Sequence, residues 1–169
     1  MTDDIKYERG RKATVNGFAH EHVAVGILMK RYGDVSLVDL PISKYDLIIV
    51  KEVEGGEEYI RGQVKTATKS ISFKGGSRGG VDREYISDEK VYTYTPETCD
   101  VVIGVHPSGE TFDLYFVPTI LVVELNQGSI SINRVHDLKN NYDILENCKD
   151  RDYVISKCIE FGILRQLSI

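Results

Sequence analysis

Four side chains stand where their types and spacing could do chemistry: Glu21, Asp46, Gln63 and Lys65. Glu21 follows Phe18 by three residues and precedes Val25 by four, so on a helix it shares a face with apolar neighbours. A carboxylate in that position calls for a cation, a metal or a shifted pKa, because an ionised acid is costly to bury without a partner. His20 and His22 beside it read as polar flanks of the same helix. Asp46 heads the apolar run LIIV, where an acid serves either as a turn residue or as a site residue at a sheet edge. On the following strand, period-two alternation puts Gln63 and Lys65 on one face and Val64 on the other. Singly, each residue has an ordinary reading as a helix flank, a turn or an exposed sheet face.

The elements that must position them follow from the same chain. Asn16 is placed to cap a helix running to about Arg31, stopped at Tyr32-Gly33, with Phe18, Val25, Leu28 and Met29 as its core stripe. After a short segment from Asp34 to Leu40 and Pro41, Tyr45 to Lys51 reads as a buried strand. Gly55-Gly56 then turns it into a hairpin with Tyr59 to Thr68. The glycine-rich segment from Ser70 to Asp88 reads as a mobile loop. Cys99 to Val105 and Thr111 to Val117 form a second hairpin across the turn His106 to Glu110. From Arg134 the period turns helical, with Leu138, Tyr142 and Leu145 on one stripe, and Asp152 to Leu167 forms a last helix. The expected fold is α/β, a central mixed sheet flanked by helices in one domain over residues 1–169, with no internal repeat.

At 169 residues and 41% hydrophobic, the chain can bury one core and is short for two. No apolar run approaches the roughly 20 residues of a membrane span, and the charged first 15 residues do not resemble a signal peptide, so a cytoplasmic protein is expected. Cys99, Cys148 and Cys158 form neither a CxxC pair nor an even framework and read as small buried hydrophobes. The net charge of -5 excludes a protein that coats nucleic acid by bulk charge. Yet Arg61, Lys65, Lys69, Lys74, Arg78 and Arg83 oppose only Asp82 in one stretch, a basic island in an acidic chain.

Taken in order, a Glu on the first helix, an Asp opening a strand and a Gln-x-Lys on its hairpin partner resemble the PD-(D/E)XK nucleases. The runs GFAHEHVAVGILMKRYG, KYDLIIV, YIRGQVKTAT and CDVVIGVHPSGETFDLYFVP are similar to the small group that includes group I intron homing endonucleases, in which a glutamine takes the place of the second acid. The similarity covers about residues 16 to 118. Asp46 is preceded by Tyr45 rather than by proline, a departure from the general motif.

The resemblance implies a restriction-endonuclease-like core and a metal-dependent hydrolysis of DNA phosphodiesters, with Mg²⁺, or Mn²⁺ in its place, held by Asp46, the Gln63 amide oxygen, the Val64 main-chain carbonyl and Glu21, the last directly or through water. Lys65 would position the attacking water or steady the phosphate. Lys69, Lys74, Arg78 and Arg83 would contact DNA phosphates, with the glycines of the loop allowing close approach. Tyr85, Tyr92 and Tyr94 could stack on bases or serve as packing residues. Double-stranded DNA is the implied partner, and one site per strand implies a homodimer or larger symmetric oligomer. A structure-selective resolvase of four-way junctions and a catalytically silent DNA-binding relative remain as alternatives.

Overall fold

The computed structural model describes residues 2–40, 42–76 and 91–165. In chain order they form α1 (Thr2–Tyr32), β1 (Val35–Leu37), β2 (Leu47–Val53), β3 (Gly56–Thr66), β4 (Ser70–Ser72), β5 (Lys74–Gly75), β6 (Tyr92–Thr93), β7 (Val101–Ser108) and β8 (Thr111–Pro118). There follow α2 (Thr119–Leu125), β9 (Ser129–Ser131), a 3-10 turn at His136–Leu138, α3 (Tyr142–Glu146) and α4 (Arg151–Glu160).

The sheet grows from the hairpin that the apolar runs dictate. Val53 pairs with Gly56, leaving Glu54-Gly55 as a two-residue turn, and Gly55 adopts φ +92°, a conformation that glycine reaches without steric cost. Leu47, Ile49 and Ile60 of this hairpin are fully buried. The five strands run in the order β1-β2-β3-β7-β8, antiparallel at every junction except β3 to β7, which is parallel from Gly62↔Val101 to Thr66↔Val105. The expected mixed sheet flanked by helices is therefore present.

Central strands must approach closely here. A Cβ on Gly62 would lie 2.8 Å from Leu47 Cδ1 and from Ile103 Cδ1, both belonging to fully buried side chains.

Several elements differ from expectation. The first helix begins at Thr2, not at Asn16, and its buried face is His20, Ala24 and Leu28, while Phe18 and Met29 are exposed. Apolar residues surround this helix, so composition alone did not single out the stripe that meets the sheet. Part of the expected loop from Ser70 is strand: β4 pairs with β9, and Ile71 and Phe73 are fully buried. Residues 77–88 of that loop lie outside the described residues. β7 continues through Pro107 and Ser108, which narrows the second turn to Gly109-Glu110, with Gly109 at φ +63°. The expected helix after Arg134 divides into the 3-10 turn and α3, whose cap is Asn141 accepting from the Ile144 N–H at 3.2 Å. α4 is capped by Asp150, which accepts from the Tyr153 N–H at 3.0 Å, and ends before Gly162 (φ +70°), shorter than the expected reach to Leu167. Cys99, Cys148 and Cys158 are buried, as small hydrophobes should be. No described helix is long and apolar enough to cross a membrane.

Gly62→Ala should lower unfolding stability by about 1–3 kcal/mol, the usual cost of overpacking. Denaturant unfolding measures it, and a midpoint equal to that of the wild type would refute the close-approach account.

Candidate functional site

β3 changes partners at Gly62. Up to that residue it is paired with β2, but β2 begins at Leu47, so beyond Gly62 this side of β3 has no ladder partner. Asp46 fills the gap. Its backbone N–H donates to the Gly62 carbonyl at 2.9 Å, its carbonyl accepts from Val38 at 2.7 Å, and its side-chain Oδ2 accepts from the Val64 N–H at 2.7 Å. The Gln63 amide nitrogen donates to the same Oδ2 and lies 3.4 Å from the Val64 carbonyl. Gln63 is buried, 9% exposed, so this amide answers to its neighbours rather than to water.

Two oxygens thus meet the Gln63 amide nitrogen, Asp46 Oδ2 and the Val64 carbonyl, while the amide's own Oε1 lies on its other arm. A half-turn about the terminal torsion of Gln63 exchanges its nitrogen for its oxygen, and the two orientations differ only in what faces Asp46. With the oxygen inward, the group becomes a hard donor set suited to a divalent cation. Among the described residues no three His, Cys, Asp or Glu side chains cluster as metal ligands. Any cation here would rest on two carboxylates plus neutral oxygens.

The second carboxylate is Glu21 of α1. It lines a cleft together with Gln63, Val64 and Lys65. Burial and the nearby Asp46 charge push its pKa up to about 7. Asp46 is raised as well, chiefly by burial, against the opposing effects of the Val64 N–H, Lys65 and Gln63. Lys65 projects into the same cleft and its charge stabilises both ionised acids, while its ammonium lies 5.2 Å from the centre of the Tyr94 ring. Glu21, Asp46, Gln63 and Lys65, drawn from a helix, a strand entry and a central strand, are accordingly brought together.

The flanking residues sort differently. His22 is exposed and faces its own helix at the Phe18 carbonyl, 2.9 Å away. His20 is instead buried, its Nδ1 2.8 Å from the Thr66 hydroxyl, and burial lowers its pKa, so it ties α1 to β3 one residue beyond Lys65. Nothing local in the sequence distinguishes His20 from His22; the sheet contact does. Lys74 lines the cleft, whereas Lys69 is exposed at the start of β4 and is not among its walls. Arg78, Arg83 and Tyr85 lie outside the described residues. Arg61 of the basic island is bound to Asp100 at 2.7 Å and to the Pro96 carbonyl at 2.7 Å, a structural role. Tyr94 is 1% exposed and meets Tyr92 edge-on, which makes this pair packing residues.

No family model matches the chain, and no curated protein matches its sequence. Among solved structures the fold is similar to a bacterial homing endonuclease, I-Ssp6803I, with a TM-score of 0.50 and 19% identity, covering 70% of this chain and 76% of that one.

The raised Glu21 pKa fixes a pH dependence. The folded protein retains a proton on this group between its ordinary 4.5 and about 7, which the unfolded chain has released, so its contribution to stability falls as pH rises through that window. With divalent metal chelated, Glu21→Gln should gain in melting temperature relative to the wild type as pH rises across the window, the difference levelling off above it. A difference independent of pH would remove the protonated-acid account.

Proposed function

We propose that this chain is a divalent-cation-dependent endonuclease that hydrolyses DNA phosphodiesters and acts site-selectively on duplex DNA, in the manner of homing or restriction enzymes. The observation that carries the reading is the convergence, at the one place where β3 loses its ladder partner, of Asp46, the Gln63 amide and Glu21 beside the Lys65 ammonium. The fold shared with a bacterial homing endonuclease, and the sequence pattern of the PD-(D/E)XK nucleases, support it.

Asp46 would be the anchoring ligand of Mg²⁺, and Gln63, with its amide turned so that Oε1 faces inward, the Val64 carbonyl and Glu21, directly or through water, would complete the set. When bound, the cation supplies Lewis-acid polarisation and charge neutralisation at the scissile phosphate. Lys65 holds the attacking water or the phosphate where negative charge builds. Before the cation binds, burial and the Asp46 charge favour a proton on Glu21, and binding the cation would release it. Lys74, at the cleft wall, contacts a flanking phosphate, with Lys69, Arg78 and Arg83 as the further phosphate contacts from the same stretch of chain. One such site cuts one strand, so two copies act on a duplex.

The silent DNA-binding reading has one observation in its favour. Asp46 Oδ2 is already met by two donors, the Val64 N–H and the Gln63 amide, so the carboxylate is satisfied without a cation.

The deciding experiment offers supercoiled plasmid, phage genomic DNA and a synthetic four-way junction to the wild type, Asp46→Ala and Lys65→Ala, with Mg²⁺ or Mn²⁺. Discrete linear products are expected, with each variant slower by at least about 100-fold, as when one transition-state contact is removed. Cleavage of the junction alone would assign a resolvase, and binding without cleavage by either metal would assign the silent module. Lys74→Ala should weaken DNA binding and reduce the slope of log affinity against log salt by about 0.9, the value for one phosphate contact. An unchanged slope would take Lys74 out of the DNA interface.

A further inference from the structure

A second groove lies across Lys74 from the cleft that holds Glu21, Gln63 and Lys65. It measures about 340 Å³, and its walls include Thr93, Asn126 and Gln127 beside an apolar flank of Val122 and Val123. The chain holds the two hollows in fixed relation. From Lys65 it runs through β4 to Lys74, and this segment is pinned by Ile71 and Phe73, both fully buried. The Phe73 N–H donates to the Gly128 carbonyl at 2.9 Å, and the Phe73 carbonyl accepts from the Tyr94 N–H at 3.0 Å. Lys74 stands opposite Thr93 in the β5–β6 ladder, so their side chains share a face. The Lys74 stem also crosses Gly128 so closely that a Cβ there would lie 2.8 Å from Lys74 Cε. One cation therefore borders both hollows.

The polar groups of the groove are not used by the fold. Asn126 closes α2 in the left-handed conformation, φ +47°, and does so with its backbone N–H, which donates to the Val122 and Val123 carbonyls at 3.2 Å. Glycine serves such a turn as well as asparagine, so the turn does not account for the amide. Among the described residues the side chains of Asn126, Gln127 and Thr93 have no hydrogen-bond partner, and all three residues are exposed. Val123 is 48% exposed. No described acid lines the groove, and Glu124 beside it is turned to Arg151 at 2.5 Å. A primary amide presents donor and acceptor in one plane, which matches the N6 and N7 edge of adenine, and an exposed apolar side chain suits the methyl group of thymine.

We propose that this groove reads base edges of the duplex beside the cut, with Asn126 and Gln127 selecting an A·T pair and Val123 touching its thymine methyl, while Lys74 holds the phosphate between groove and cleft. The inference rests on the DNA reading of the cleft and adds to it the place where sequence is discriminated. Phosphates are alike at every step, so lysines on the backbone hold the duplex without telling one site from another; base edges carry that information. Because Lys74 borders both hollows, the pair that is read lies close to the scissile bond.

The test sequences what the full chain selects from a randomised duplex library, once as the fraction bound in Ca²⁺ and once as the ends cut in Mg²⁺. Wild type is compared with Asn126→Gly, which keeps the left-handed turn, with Gln127→Ala, and with Lys74→Ala. The wild type should favour A·T over G·C at one or two neighbouring pairs near the cut by at least about tenfold, within the range of one bidentate contact. Asn126→Gly and Gln127→Ala should each weaken that preference while preferences at other positions persist. Lys74→Ala should instead weaken binding alike across sequences. Gln127 lies outside α2, so its variant decides the matter even where Asn126→Gly loosens the helix end. An A·T preference that survives both substitutions, or that disappears together with every other preference, would overturn the proposal. Selective cleavage with an unchanged profile in the variants would retract the groove and leave the nuclease reading. Selective binding without cleavage would retract the nuclease reading, and the bound sequences would still decide the groove. A chain that binds no duplex would overturn both.

Discussion

The site depends on how the change of partner along β3 is resolved. A central strand that is antiparallel to β2 on one side and parallel to β7 on the other loses one ladder past the first residue of β2, and the buried Val64 N–H, left without a strand partner there, then needs an acceptor. Asp46 supplies it from the residue just before β2 begins. The same bond that completes the sheet fixes a carboxylate beside the Gln63 amide and within reach of the charges of Glu21 and Lys65. Structural need and chemical opportunity therefore coincide at one oxygen.

Holding charge at that edge requires support from behind. Arg61 binds Asp100 through both carboxylate oxygens and also reaches the Pro96 carbonyl, while the Thr119 hydroxyl donates to the Cys99 carbonyl at 2.8 Å. These contacts fix the chain entering β7 next to Gly62, where Leu47 and Ile103 leave no room for a Cβ. On the other side His20, neutral and buried, anchors α1 to Thr66 and so sets where Glu21 enters the cleft. The result is two carboxylates of raised pKa held near one ammonium. Their electrostatic cost is stored in the site, where a cation or a proton can relieve it.

Much of this was legible in the chain. Alternation in YIRGQVKTAT put Gln63 and Lys65 on one face, the apolar LIIV marked the neighbouring strand, and the position of Asp46 at its head followed from the same run. Less was legible where several apolar patterns competed. α1 is apolar on almost every side between Phe18 and Met29, so composition does not single out its buried face, and Phe18 and Met29, expected inside, lie outside. β4 and β9 are three residues each and lie about 60 positions apart; serines flanking one isoleucine carry no strand signal until the two segments meet. The basic island likewise hid two kinds of charge, since Arg61 has a buried acid as partner and Lys74 faces the cleft.

The sequence by itself determined which residues could do the chemistry and the strands that carry them, because residue type and a period of two are local properties. Tertiary structure alone decided which atoms meet. Whether Asp46 is a turn residue or a site residue depends on where β2 stops relative to β3, and the environment of Glu21 depends on the rotation of α1 about its axis. Both are set by long-range packing of Leu47, Ile103, Ala24 and Leu28, whose fit no short window of sequence contains.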